Sequence, residues 1–382
     1  MKFGHLADCH LGGWRYPELQ QLNFESFKSA LETCKKEKVD FILIAGDLFD
    51  SPYPPIEIIK DAFNEFRKLK EANIPIFFIA GSHDYSISGK SFLDVMEKSG
   101  FGTNVFKAQE KDDSIILEPT IYKNVAIYGY PGKKTGLEVY DIPKIKLQDA
   151  PGLFKILMLH TTMKDALPGL DIPSVDRESL PKVDYLALGH LHLQYEKGNA
   201  RYGGPMYPNN ASELEDLQYG TFYIVDTNKE IKRHNVKLKD VLVLDLEITD
   251  SLIGTETILE ELKKHLLKDK ILILKLKGVL ERGKITDINF NKIEEFSRKH
   301  GVWCFMKNTT RLFFPIVEVD VTPQTEDFEK EIIDSFCSKH PHDLNKHIQL
   351  LLLMLNMEKK EDETSRTFED RLFGDSIKVL FP

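Results

Sequence analysis

The chain contains no apolar stretch approaching the roughly 20 residues that a bilayer-crossing helix needs. Its first apolar run follows a single Lys2 and is broken by Asp8 and His10, so no secretory signal peptide is expected. Cysteine is scarce: Cys9, Cys34, Cys304 and Cys337 lack the paired spacing of a zinc site or a disulfide framework. A reducing cytoplasm is the expected setting. Excess positive charge is missing too. The 51 Lys and Arg against 60 Asp and Glu leave a formal charge of −9, which argues against coating nucleic acid by general electrostatics. It does not exclude work on nucleic acid, because cations held by acidic ligands restore positive potential where a phosphate must sit. Internal repeats and low-complexity tracts are also lacking. What remains is an ordinary globular composition, 42% hydrophobic over 382 residues, enough for two or three domains.

From Met1 to about Asp226 short apolar strands alternate with amphipathic helices. Strands are expected at Phe3 to Leu6, Phe41 to Ala45, Ile76 to Ala80, Val125 to Tyr128, Ile156 to Leu159, Tyr185 to Leu188 and Thr221 to Val225. A helix is expected over Phe24 to Cys34. The all-apolar runs suit strands buried on both faces. This pattern predicts an α/β core over residues 1–235. A smaller α+β unit over 240–315 follows, with strands at Val241 to Ile248, Ile271 to Leu276 and Trp303 to Lys307. Its helices are expected at Thr255 to Leu267 and Asn291 to His300, and it carries no metal-ligand cluster or Gly-rich phosphate loop. Beyond a linker at Val321 to Asp327, a helical segment occupies 326–382, with helices at Phe328 to Lys339 and Asp343 to Met357. The second is apolar nearly all round and calls for burial, against its own protein or against a partner.

Most core strands end directly in a motif bearing carboxylate or imidazole. Asp8-Cys9-His10 follows the first; residues two apart in extended chain point the same way, so Asp8 and His10 suit one metal. Gly46-Asp47-Leu48-Phe49-Asp50 follows the second, and a carboxylate on a tight Gly turn is placed to bridge two cations. Asp50 reads equally well as a helix cap. Gly81-Ser82-His83-Asp84 offers His83 as a proton donor to a leaving alkoxide, with Asp84 setting its tautomer. His160 closes a fourth strand, and Gly189-His190-Leu191-His192 follows a fifth. Each motif alone has a plain structural explanation. Five together, at the strand ends where layered α/β folds bind ligands, point to a two-metal phosphoesterase.

In this order the motifs resemble the signature of the calcineurin-like metallophosphoesterases. "MKFGHLADCHLG", "AGDLFDSPYPP", "IPIFFIAGSHD", "LMLH" and "YLALGHLH" narrow the likeness. They resemble the nuclease subunit of the double-strand-break repair complex, the meiotic recombination eleven and SbcD type in an archaeal-like version. The resemblance spans essentially the whole chain. It implies a four-layer β-sandwich-type core flanked by helices, a capping domain that governs DNA access, and a C-terminal segment docking a coiled-coil ABC-type ATPase. It implies two Mn2+ per subunit, with Mg2+ as the alternative. Asp8, His10 and His192 would hold one, His160 and His190 the other, and Asp47 both. His83 would assist the leaving group. Ser82 stands where the family usually has an asparagine metal ligand, so the second site is expected to be altered there. The implied reaction is in-line hydrolysis of DNA by water activated between the cations, as a 3′ to 5′ exonuclease on duplex ends and an endonuclease on single-stranded or hairpin DNA. A homodimer is implied, with Ile59, Phe63, Leu93 and Met96 of Ile56 to Leu69 and Phe92 to Lys98 as candidates for its contact or for the core. The expected location is the nucleoid. A small-molecule phosphodiesterase of the same superfamily and an inactive DNA-end-binding scaffold remain the competing readings.

Overall fold

The computed structural model describes residues 1–86, 91–228, 230–314, 328–357, 359 and 365–380. The expected linker at Val321 to Asp327 lies outside these residues, and the segment expected at 326–382 falls only partly within them.

The structure is of the α/β class. Two six-stranded sheets carry its core. The first has the order Ile231–Val236, Gly220–Asp226, Lys2–Leu6, Phe41–Ala45, Ile76–Ile79, Thr103–Asn104. The second runs Glu196–Lys197, Ala200–Tyr202, Tyr185–Gly189, Phe154–His160, Val125–Tyr130, Thr120–Tyr122. The strands that end in motifs are parallel to one another within each sheet, so their carboxyl ends share an edge. Period-two alternation sorts the side chains. Phe3, Phe41, Leu43, Ala45 and Ile79 of the first sheet meet Ile127, Ile156, Met158 and Ala187 of the second in one buried cluster between the sheets. The opposite faces bury Leu6, Ile42, Ile44 and Phe78 beneath the helices Pro17–Lys36, Ile56–Glu71 and Phe92–Lys98. On the far side, Tyr128, Leu157, Leu159, Leu186 and Leu188 pack under short helices and a small sheet, Ala108–Lys111, Ser114–Leu117 and Ile145–Leu147. Four layers result, and each fully buried Phe or Leu contributes roughly 1.5–3 kcal/mol to holding them.

A third sheet, Asp240–Glu247, Lys270–Val279 and Cys304–Phe313, is wholly parallel. The helices Gly254–Lys263 and Phe290–Lys299 cover one face with Ile258, Leu262 and Ile293. The other face places Ile271, Ile273, Cys304 and Met306 against Trp14, Leu19, Leu22, Tyr207 and Leu214. Residues Met1–Phe313 form one compact unit, with Phe314–Pro382 a second.

Several elements differ from the sequence expectation. The first helix begins at Pro17, seven residues before Phe24, because proline is favoured at a first helical position and the added turns carry a mostly polar face. In the second unit, Asp343–His347 is a 3-10 turn and the α-helix proper is Ile348–Leu355. Leu350, Leu352, Leu353 and Leu355 are exposed there. A further helix, Ser365–Leu380, was not foreseen, since its apolar residues are too few to give a stripe. Ile59, Leu93 and Met96 are buried, and Phe63 packs against Phe66, Phe92 and Phe101. Of the two roles open to these four side chains, dimer contact or core, they take the core. Among the described residues, no helix is long and apolar enough to cross a membrane.

Candidate metal centre

Backbone hydrogen bonds carry the strand pairing on into the loops. Asp8, His10 and Leu11 donate to the carbonyls of Gly46, Asp47 and Leu48, which sets the first motif beside the second. Asp84 ties in the third: its buried carboxylate accepts from the amides of Leu48 at 3.3 Å, Phe49 at 3.2 Å and Gly81 at 3.0 Å. The convergence of Asp8 and His10 has a different origin from the pleat expected of them. Asp8, His10, Asp47 and His190 all take left-handed backbone, with φ of 51°, 43°, 49° and 105°. Such residues are uncommon outside glycine and cost about 1–3 kcal/mol each, so they persist where the surroundings over-determine them.

The side chains meet as follows. Asp47 Oδ2 lies 3.2 Å from His160 Nε2 and 3.7 Å from His10 Nε2, with Ser82 Oγ donating to it at 3.4 Å. Asp47 Oδ1 accepts the His83 amide at 2.7 Å. Asp8 Oδ1 accepts the His190 amide at 2.8 Å, whereas Asp8 Oδ2 is buried and unpartnered. The ring nitrogens follow one rule. Nδ1 of His160 bonds the Ala45 carbonyl at 2.9 Å, Nδ1 of His10 the Asp50 carboxylate at 3.0 Å, and Nδ1 of His192 the Glu213 carboxylate at 2.9 Å. Each acceptor fixes a proton on Nδ1 and leaves Nε2 facing the centre. There, Nε2 of His10 and Nε2 of His192 face each other at 3.1 Å. Donor atoms of Asp8, His10 and His192 lie within 4.8 Å of one another, as do those of Asp8, Asp47 and His160.

The electrostatics show a centre short of positive charge. Burial pulls the His160 imidazole down, but Asp47 and Asp8 prevail and hold its pKa at about 10. Burial would raise Asp47, yet His160 and His10 hold it well below the usual carboxylate range. Burial pushes Asp84 up to about 6, with the Asp47 charge adding to it, and raises Asp8. His190 falls to about 4 through burial and then the His160 charge.

Two sequence expectations are corrected. Asp84 does not set the tautomer of His83, because its oxygens are occupied by three backbone amides; His83 Nδ1 bonds instead the Asp50 carbonyl at 3.0 Å. Asp50 is no helix cap, since its carboxylate lies 3.0 Å from His10 and 3.6 Å from His83. His190 stands at the side of the cluster, its ring 5.1 Å from that of His160. Glu213 and Asn209 escaped the sequence reading. Asn210 caps the helix Ala211–Leu217 by accepting from the Glu213 amide, so the start of a helix could have been read from Asn-x-x-Glu. That pattern carries no hint of a histidine partner.

Do these residues suit divalent cations? With Nδ1 protons on both His10 and His192, two lone pairs face each other at 3.1 Å and require positive charge between them. Asp8 Oδ2 is orphaned, and His160 Nε2 lies near Asp47 without hydrogen-bond alignment. Carboxylate and imidazole are donors that manganese, magnesium and zinc accept, so the residues fit. Fold and site together define a layered α/β hydrolase-type metal centre. Residues 1–194 match the calcineurin-like phosphoesterase family, to which the chain therefore belongs. It is 29% identical over 311 residues to the DNA double-strand break repair protein Mre11 of Methanosarcina mazei, covering 78% of this chain and 48% of that one. With the protein of the same name from Methanocaldococcus jannaschii it shares 26% over 395 residues, covering 98% and 100%. With that of Archaeoglobus fulgidus it shares 25% over 370 residues, covering 87% and 80%. The chain spans about half the length of the Methanosarcina relatives.

Proposed function

We propose that the chain is a metal-dependent DNA nuclease of double-strand-break repair, working with two manganese ions, magnesium being the alternative. The observation that carries this reading is Asp47 Oδ2, which stands 3.2 Å from His160 Nε2 and 3.7 Å from His10 Nε2, one carboxylate oxygen against a histidine of each donor set. Asp8, His10 and His192 would hold one cation; His160, His190 and, at the edge, Ser82 the other; Asp47 would serve both. When bound, such a pair brings the pKa of water toward neutrality and spreads the charge of a phosphoryl transition state. The chain's own groups do the rest. Nδ1 contacts to Ala45, Asp50 and Glu213 hold the three imidazoles in the ligating tautomer. His83, with its side chain 46% exposed and Nδ1 committed to Asp50, keeps Nε2 free to hand a proton to the departing oxygen. Asp84 acts at one remove, by tying the loop of His83 to that of Asp47.

The choice of DNA as substrate is supported by the likeness to archaeal double-strand break repair proteins. On the same ground we assign exonuclease action on duplex ends and endonuclease action on single strands and hairpins. The unit at 240–315 would govern access of DNA. The segment at 326–382, with its exposed leucines, would dock a coiled-coil ABC-type ATPase at the nucleoid. A homodimer would use the exposed Ile56 and Val95 in place of the buried Ile59, Leu93 and Met96 and the partly buried Phe63. The test is digestion of an end-labelled duplex by the full chain, with a nucleotide ester in parallel. Expected are Mn2+-dependent cleavage, its loss on chelation, and a drop of about a hundredfold or more in His83→Ala. Cleavage of the ester but never of DNA would sink the nuclease reading. DNA binding without cleavage under any divalent cation would mark a scaffold.

A further inference from the structure

Around the donor set of Asp8, His10 and His192, four hydrogen bonds and the facing Nε2 atoms of the two imidazoles close into a ring. Asp50 Oδ1 lies 3.0 Å from His10 Nδ1, and His10 Nε2 lies 3.1 Å from His192 Nε2. His192 Nδ1 lies 2.9 Å from Glu213 Oε2, which also accepts the Asn209 amide at 2.8 Å. Asn209 Nδ2 then returns to Asp50 Oδ1 at 3.4 Å. The ring joins four separate stretches of chain: the motif after Lys2–Leu6, the turn after Phe41–Ala45, the motif after Tyr185–Gly189, and the start of the helix Ala211–Leu217 with the loop before it. Gly13 makes room for it, since a Cβ there would come 2.6 Å from Asn209 Oδ1 and 2.9 Å from the Asp50 carboxylate. Neither acid lies in the Asp8, His10 and His192 donor set itself, although Asp50 forms a separate donor group with His10 and His83.

We propose that Asp50 and Glu213 are paired positioning residues, bridged by Asn209, that clamp His10 and His192 from outside and hold both Nε2 lone pairs on one divalent cation. A carboxylate on Nδ1 does two things a carbonyl does less well: it fixes the Nδ1–H tautomer, and its charge makes Nε2 the stronger donor. The two clamps are tied to each other through Asn209, so the spacing of the two Nε2 atoms is set on both sides. The inference rests on the metal reading above.

The experiment is calorimetric titration of the full chain with Mn2+ alone, with thermal melts before metal is added. Glu213→Met keeps the volume and removes the acceptor; Glu213→Gln keeps an acceptor without the charge. Asp50→Ala and Asp50→Asn form the matching pair. Expected are an unchanged melt, Mn2+ affinity weakened about 10- to 100-fold in Glu213→Met and Asp50→Ala, and most of that loss recovered in the amide variants. A purely structural role would lower the melt and leave no such rescue. Wild-type protein that takes up no Mn2+ overturns the metal reading and this inference with it. Tight uptake by wild type, Glu213→Met and Asp50→Ala alike overturns the clamp alone.

Discussion

His83 and Asp84 are neighbours in one motif and do opposite work. His83 is half-exposed and holds one hydrogen bond to a carbonyl through its ring. Asp84 is 1% exposed and answers three amides with two oxygens. Their variants should therefore separate. His83→Ala should keep the urea midpoint of wild type, within about 0.5 kcal/mol, while cleavage is lost. Asp84→Asn turns an NH2 toward amides that need an acceptor, and should cost about 1–3 kcal/mol in the same urea titration. A Ser82→Asn change bears on the second donor set. Ser82 spends its hydroxyl on Asp47 at 3.4 Å, whereas an amide oxygen reaches further and would bind a cation directly. Manganese counted by anomalous scattering should rise in that variant; an unchanged count would remove residue 82 from the site.

The strands themselves supply little chemistry, and their ends supply nearly all of it. Ile76–Ile79 stops just short of a turn in which Gly81 passes so close to Asp47 that a Cβ would overlap its backbone nitrogen and carboxylate. Gly81→Ala must push that turn away and drag Asp47 with it. We expect Mn2+ affinity in Gly81→Ala to fall well below that of wild type in calorimetry, with far-ultraviolet circular dichroism unchanged, because the damage stays in one loop. The strands were readable because buried runs such as Phe41–Ala45 are apolar throughout and short. Short exposed strands such as Ala108–Lys111 carry no such signal, and only pairing with Ser114–Leu117 makes them strands. The same reasoning covers the helix Ser365–Leu380, whose sequence has no clear apolar stripe.

Residues Met1–Phe313 close four sheets over their own cores, including the contact of Ile271, Ile273 and Met306 with Trp14 and Leu22. The side chains named in these cores all belong to Met1–Phe313 itself. On the proposed function, deleting 326–382 should leave the thermal melt of the remainder unchanged and its DNA cleavage intact, and should end co-purification with a coiled-coil ABC-type ATPase. Continued co-purification would refute the docking assignment. Net charge of −9 bears on the molecule as a whole as well. On the proposed function, a protein so acidic would gain its attraction for DNA at the metal centre, so chelation should weaken DNA binding as well as stop cleavage.

The residue types of the centre, and their place at the carboxyl ends of apolar strands, were set by the chain alone, because strand pattern and motif are both local. The way they meet was decided by tertiary structure. Asp8 and His10 converge through left-handed turns held by the neighbouring loop. The His160 tautomer is set by a carbonyl 115 residues away, and the Asn209 link to Asp50 spans 159. Asp84 passes from partner of His83 to anchor of two loops for the same reason. A contact between residues so far apart leaves no periodicity or spacing in the sequence, and exists only once the sheets have packed.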